Sequence, residues 1–522
     1  MKRLKAYKFN SIFMANKTKF ILVSFLSISY FVYFFKHASD ALSPLLYLSL
    51  FITITIIGLK FKSFKAIAAS YFIVALFTII ELITKRMTGF YFHEIPYEII
   101  SILYDTNQDE IKSGMHFDRT EKIAILICTI NFVFLFLRQE SKQKNITKTI
   151  MPILILIMFF SATSNPISIT AKTIYNNKLS IEKAIDTLNT RKSFLWGSKS
   201  YENEQQTVVI FLGETHRGDY MSINGYNKKT TPRLETKDII SFDNAISQGA
   251  YTLISTPMIL TRKNVTDSGI FPEKSIISAF KEAGYETWYI SYLSKSHIGD
   301  NEINIIANEA DHYIRDGVDN NVLKSILSAK SNKKLIVYKT IGSHFTYHTR
   351  YPSSYEIFKP AFTEETYKTP SIDDIELLKN SYENSILFSV DKHISDFIEI
   401  LDKEKGLVSL SFVSDHGTSI YDNGKSLYGG NTEGNYNIGL FFWFNDHYKN
   451  KYSDDIMALK NNKHKKVSSE YFVDTMLEIG KIKTEKTKGR SLLEENLIEH
   501  DRMVINKNIY NYDKEISSNK NK

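Results

Sequence analysis

Five apolar runs open the chain: Phe20 to Phe35, Leu42 to Leu59, Phe64 to Ile83, Ile123 to Leu137 and Ile150 to Phe160. Each approaches the ~20 residues a helix needs to cross a hydrocarbon core, the last two by borrowing flanking residues. Basic clusters alternate with them. Lys2, Arg3, Lys5, Lys8, Lys17 and Lys19 precede the first run, Lys60, Lys62 and Lys65 follow the second, and Arg138, Lys142, Lys144 and Lys148 follow the fourth. Loops rich in Lys and Arg stay in the cytoplasm, so five crossings from an inside start put everything after residue 166 outside. The first run is long and leads straight into the second, unlike a cleaved signal peptide. The connection from Lys85 to Glu121 faces out, and its mixed polarity suits an amphipathic segment resting on the membrane surface.

Beyond the apolar runs, residues 166–204 read as a juxtamembrane bridge, with Phe194, Leu195 and Trp196 at the depth aromatics prefer. From Thr207 short β-branched or apolar runs alternate with helical segments, which predicts a mostly parallel sheet covered on both faces. The expected strands are Val208 to Leu212, Thr287 to Ser291, Leu335 to Thr340, Val408 to Ser414 and Ile438 to Phe444. Helices are expected at Thr252 to Leu260, Ser275 to Ala283, Asn321 to Leu327, Ile375 to Leu401 and Ser468 to Ile479. The division is therefore a five-helix membrane domain over 1–165, the bridge over 166–204, an outer α/β domain over 205–500, and a polar mobile tail over 501–522. No internal repeat is present.

Composition changes this picture little. At 522 residues the chain exceeds one ordinary domain. The single cysteine, Cys128, lies inside the fourth span, so no intramolecular disulfide braces the outer domain. The formal charge of +8 comes from scattered rather than striped Lys and Arg, which fits a lipid surface better than a nucleic-acid partner.

Three predicted strands end in polar clusters: Gly213-Glu214-Thr215-His216, Gly342-Ser343-His344 and Asp415-His416-Gly417. In open α/β sheets the ligand site forms beyond the carboxyl ends of the strands, so these groups are expected to converge. Glu, Asp and His supply donors that suit zinc or manganese. A glycine after Asp415-His416 allows close backbone approach at a tight turn. Thr252, in Gly249-Ala250-Tyr251-Thr252-Leu253, stands at the start of a predicted helix, where threonine serves as an N-cap. The same place suits a nucleophile, because a helix N-terminus favours an incoming phosphate.

These residues resemble a family, the membrane phosphoethanolamine transferases, inner-membrane relatives of the alkaline phosphatase and sulfatase fold. The resemblance rests on Val208-Val209-Ile210-Phe211-Leu212-Gly213-Glu214-Thr215, on Arg217-Gly218-Asp219 and Ser222-Ile223-Asn224-Gly225-Tyr226, and on Thr231-Pro232-Arg233-Leu234. Ser381-Tyr382-Glu383-Asn384-Ser385-Ile386-Leu387 and Ser414-Asp415-His416-Gly417 extend it. It implies an alkaline phosphatase/sulfatase-like catalytic domain in the periplasm, anchored in a bacterial inner membrane. It implies that Glu214, Thr252, Asp415 and His416 bind zinc, with Thr252 as nucleophile. His344 would contact the phosphoryl group or a second zinc, and Thr106 and Glu110 would lie near the lipid or ethanolamine head group. Family members carry outer-domain disulfides that this chain cannot form, and Tyr428 stands where many have a second-site histidine. One firmly held zinc is therefore expected, any second being weak and substrate-assisted. Leu260-Thr261-Arg262-Lys263 leans toward the branch that modifies lipopolysaccharide core sugar.

The implied reaction moves phosphoethanolamine from phosphatidylethanolamine to an envelope glycolipid, lipopolysaccharide core or lipid A, through phosphothreonine, with His344 protonating a leaving oxygen. The rivals are a manganese-dependent phosphoglycerol transferase of similar layout, a sulfatase or phosphatase releasing product to water, and a non-catalytic membrane protein. Threonine in place of a modified cysteine or serine, together with the membrane tether, disfavours the hydrolases.

Overall fold

A computed structural model describes residue 126 and residues 186–292, 302–315, 320–367, 370, 372–422, 427, 430–485, 489–506 and 508–517. The chain divides into two compact units, Met1–Ile95 with Gly114–Lys178, and Pro96–Ser113 with Leu179–Lys522. Apart from Leu126, the described residues belong to the second. The five expected spans (save Leu126), Thr106, Glu110 and Tyr428 lie outside them. Among the described residues no helix is long and apolar enough to cross a membrane.

The core of this unit is a seven-stranded sheet. Its strands are β1 (Gln206–Gly213), β2 (Ile240–Ser241), β3 (Glu286–Ser291), β4 (His312–Arg315), β5 (Lys333–Lys339), β6 (Leu407–Ser414) and β7 (Leu440–Phe444). The spatial order is β2-β7-β6-β1-β5-β3-β4. All pairings are parallel except those of β7, which runs against both β6 and β2. The sheet is thus mixed, and the run Ile438 to Phe444, expected among parallel strands, is its reversed member. The hydrophobic pattern alone could not give that direction, because a strand buried on both faces looks the same either way.

The alternation of side chains along β1 shows why the sheet is buried twice. Val208, Ile210 and Leu212 point to one face, where they join Leu335, Val337, Phe442 and residues of helices α1 (Thr252–Leu260), α2 (Ile276–Glu282) and α6 (Phe472–Ile479). Val209 and Phe211 point to the other, packing with Tyr338, Phe412 and residues of α3 (Asn320–Leu327), α4 (Ile375–Ile386) and α5 (His393–Leu401). Burying a Val or Phe side chain contributes roughly 1.5 to 3 kcal/mol, so this double cover supplies much of the stability that disulfides would otherwise add. The expected single helix Ile375 to Leu401 is interrupted by a π-helical turn over Leu387–Lys392. A wide turn of this kind adds a residue without breaking the helical run, so the apolar spacing does not reveal it.

Residues 501–517 are not a mobile tail. Met503–Ile505 and Ile509–Asn511 pair as a hairpin, and Arg502 is buried against Asp513 at 2.7 Å. Ile505 exchanges backbone hydrogen bonds with the segment before Thr252, its N–H donating to Gln248 O at 2.7 Å and its carbonyl accepting from Ala250 at 3.3 Å. The polarity of the segment hides this hairpin, since three-residue strands carry too little apolar pattern to register.

Candidate metal centre

Strand register builds the site. Gly213 at the end of β1 stands opposite Ser414 at the end of β6, and Leu212 opposite Lys339 at the end of β5. The residues that follow, Glu214 and Asp415, therefore leave neighbouring strands side by side, with Lys339 beside them. Donor atoms of Glu214, Asp415 and His416 all lie within 4.8 Å of one another. The Thr252 hydroxyl donates to both oxygens of Glu214, at 3.0 and 3.2 Å, and lies 3.2 Å from His416 Nε2. The four residues picked out from the sequence thus meet at one point, although 201 positions separate Glu214 from Asp415 and only a parallel sheet brings them together.

Local backbone shapes the cluster. Thr215 has φ 65°, left-handed and unusual for threonine. That turn lets its N–H donate to Asp415 Oδ1 at 3.1 Å and its hydroxyl to Glu214 Oε1 at 2.9 Å. Gly342, with φ 45°, admits the β5 loop because a side chain there would meet the Glu214 carbonyl and the His216 ring, each at 2.5 Å. Gly417 also fits its expected use, since a Cβ would collide with the carbonyls of Gly434 and Asn437.

His416 has an assigned role for each nitrogen. Nδ1 lies 2.6 Å from Gly417 O, which accepts its N–H and turns Nε2 toward Glu214 at 3.3 Å. Burial works against a charged ring, but the carboxylates of Asp415 and Glu214 raise its pKa to about 9. Burial also opposes ionisation of Glu214, yet the Lys339 ammonium and His416 hold it well below the usual carboxylate range. Asp415 is pushed up, by burial first and then by the Glu214 charge. His216 takes no part. It is fully buried, lies 2.8 Å from the Ser389 hydroxyl, and burial lowers its pKa to about 3, so it stays neutral.

One detail differs from the expectation. Thr252 is not the helix cap: Tyr251 holds that position, and Thr252 is the first helical residue, its hydroxyl turned to Glu214 rather than to the backbone. His344 lies in the loop after β5, tied to the site by Ser343 N–H donating to Glu214 O at 3.0 Å, and near enough for its charge to help lower Glu214. Its Nδ1 lies 2.8 Å from Phe345 O. Sequence reasoning missed Lys339, which is 1% exposed and contacts both Glu214 and Asp415. The signal was present as a lysine directly after the apolar run Leu335–Tyr338 of a central strand.

The donor set fits a divalent cation of the zinc type. Two carboxylates, an imidazole with its tautomer fixed by a backbone carbonyl, and a hydroxyl converge as oxygen and nitrogen ligands. A cation there would also offset two carboxylates that share one ammonium.

A sulfatase family model matches residues 206–482. The phosphoethanolamine transferase EptA of Salmonella typhimurium is 27% identical over 278 residues, 49% of this chain and 50% of that protein, so the match spans half of the relative's length. Among solved structures, the integral membrane protein lipooligosaccharide phosphoethanolamine transferase A of Neisseria meningitidis superposes with a TM-score of 0.61 at 19% identity, covering 88% of this chain and 95% of that one. The C-terminal periplasmic domain of EptC from Escherichia coli in complex with Zn superposes with a TM-score of 0.53 at 22% identity, covering 61% of this chain and 96% of that one. Both structures share the fold.

Proposed function

The chain belongs to the sulfatase family, and from that premise we propose that it is a zinc-dependent phosphoethanolamine transferase of a bacterial inner membrane, with its catalytic domain in the periplasm. The donor is phosphatidylethanolamine and the acceptor an envelope glycolipid, lipopolysaccharide core or lipid A. The similarity to phosphoethanolamine transferases and to the zinc complex of the EptC domain supports this function, and one geometric observation carries it. The Thr252 hydroxyl, at the first turn of α1, donates to Glu214 inside the cluster that Glu214, Asp415 and His416 form.

One zinc would be held by Glu214, Thr252, Asp415 and His416. When bound, it supplies Lewis-acid polarisation of a phosphoryl oxygen and a more acidic alcohol. The chain does the rest. The Thr252 oxygen attacks phosphorus and its proton passes toward Glu214, the acceptor of its hydrogen bond. The bond from phosphorus to the diacylglycerol oxygen breaks, and that oxygen takes a proton, His344 being the candidate donor. An acceptor hydroxyl or phosphate oxygen then attacks phosphorus, any proton it carries passing to His344, and the Thr252 oxygen leaves and recovers its proton from Glu214. The N-terminus of α1 favours the phosphoryl charge throughout. Thr106 and Glu110 would face the head group.

The test is intact mass and peptide mapping after incubation with donor lipid. A phosphoethanolamine adduct on Thr252 is expected, lost in Thr252→Ala and retained in part by Thr252→Ser. An adduct elsewhere, or a fully active alanine variant, would remove Thr252 from the mechanism.

A further inference from the structure

We propose that Lys339 is a resident counter-cation of the metal centre, holding the Glu214 and Asp415 carboxylates in place before a divalent cation binds and weakening that cation's affinity. This rests on reading Glu214, Asp415 and His416 as the cation site. The lysine closes β5 and is 1% exposed, yet its ammonium lies 2.5 Å from Glu214 Oε2, 2.8 Å from Asp415 Oδ2 and 3.4 Å from the Gly213 carbonyl. An ammonium has three protons, and these three acceptors occupy them. Lys339 therefore has no donor left for a substrate phosphate, and its role is toward the centre itself.

The oxygens of Glu214 divide accordingly. Oε2 faces the ammonium, whereas Oε1 faces Thr215 Oγ1 at 2.9 Å, Thr252 Oγ1 at 3.0 Å and His416 Nε2 at 3.3 Å. One oxygen is thus held by the lysine while the other points to the ligand side, an arrangement in which outer partners orient a coordinating carboxylate.

Charge gives the lysine a second consequence. Once His416 gives up its proton, as a metal ligand must, two carboxylates with one ammonium carry a single net negative charge, which a divalent cation turns into a single positive one. Buried charge is costly when uncompensated, and the lysine keeps the centre one charge from neutral in both states. A phosphodiester monoanion would then bring the loaded centre to neutrality. Without the lysine, the same deprotonated form would hold two unbalanced negative charges until a cation arrived. The ammonium and the cation are consequently competitors for the same carboxylates.

The experiment compares the full chain with Lys339→Met, both in detergent, both stripped by a chelator and titrated with Zn2+ against a chromophoric competitor at fixed pH. Removing a like charge a few ångströms from a site shifts occupancy by one to three powers of ten, so the variant should bind Zn2+ about 10- to 100-fold more tightly. Its thermal midpoint should also fall further on stripping than that of the unaltered chain. Equal or weaker Zn2+ binding by the variant would overturn the inference and leave the lysine an orienting partner, whose loss costs about 10- to 100-fold in affinity. Failure of the unaltered chain to bind Zn2+ would sink the metal centre and this inference with it, a result distinct from the previous one. If stripped Lys339→Met does not fold, the double variant Glu214→Gln with Lys339→Met should regain stability by losing one carboxylate charge. No regain would show that the lysine's charge is not what the site needs.

Discussion

Around Arg191, two cations meet two carboxylates. The guanidinium bonds Glu309 at 2.7 Å and lies 3.8 Å from Glu302, which also accepts from Lys263 at 2.7 Å. Spare donors and acceptors are taken up locally, Arg191 by the carbonyls of Phe271 and Glu273, Glu302 by the Phe271 N–H, and Glu309 by Ser275. Around Thr252, by contrast, two carboxylates share one ammonium, and the Thr252 hydroxyl and His416 Nε2 face the same space. Both clusters are buried, and both tie together segments distant in sequence. The first is balanced in charge and hydrogen bonding, and it resembles a fastening. The second is balanced only by a proton on His416 that a metal ion would displace, which leaves an anionic excess, and its donor atoms are turned toward one another, an arrangement that stability alone does not favour. The difference teaches that buried charge marks function when its balance is left to a ligand.

The largest expected effect tests the unbalanced cluster. Thr252→Ala should lower transfer by roughly 10³-fold or more, the scale on which nucleophile removal acts. Because its hydroxyl caps no backbone group, stability should change by no more than about 2 kcal/mol, that of one hydrogen bond to a charged acceptor. Turnover and denaturant midpoint measured on the same preparation check both halves. A variant that loses activity only in proportion to its folded fraction would make Thr252 a structural residue and erase the contrast.

The balanced cluster should respond the other way. Glu302→Gln leaves Lys263 and Arg191 without their shared anion, and breaking one side of a buried ion pair costs about 3 to 5 kcal/mol. Activity per folded molecule should stay unchanged. Chemical denaturation paired with active-site titration by Thr252 labelling measures the two separately. Loss of specific activity without loss of stability would mean that this network is coupled to the site.

Much of this contrast was legible in the sequence, and unevenly so. Central strands were readable because a strand buried on both faces is a continuous apolar run, as Val208 to Leu212 is. Site residues were readable because the chemistry sits just past the ends of such runs, at Glu214 and Asp415. What pairing decides was not readable. The reversal of β7, the edge strand His312–Arg315 and the hairpin over 503–511 depend on neighbours that local pattern does not name. Lys339 was hidden for a related reason. A lysine at a strand end is ordinarily a solvated charge, and only the register of β5 against β1 turns it inward.

Asp391 offers the smallest and sharpest test, because it is a third case, a buried carboxylate with no ammonium against it. It lies in the π-helical turn and accepts the Leu234 N–H at 2.8 Å. Burial raises its pKa to about 6, the Leu234 and Arg233 N–H groups and the Arg233 charge working against that rise and the Glu235 charge adding to it. The folded value lies above the ordinary 3.9 or so of an unfolded aspartate, so between about pH 4 and pH 6 the folded chain binds more protons than the unfolded one. Stability from this group is therefore present below pH 4 and lost as pH rises through 6, the reverse of a salt-bridged aspartate. The loss amounts to about 2 to 3 kcal/mol by pH 7. Asn at this position keeps an oxygen for Leu234 and carries no charge, so Asp391→Asn should be more stable than the unaltered chain at pH 7.5 and nearly equal to it at pH 4.5. Unfolding free energies across that range measure the difference. Parallel curves for the two proteins would show that Asp391 is compensated after all, and would remove the solitary member from the comparison.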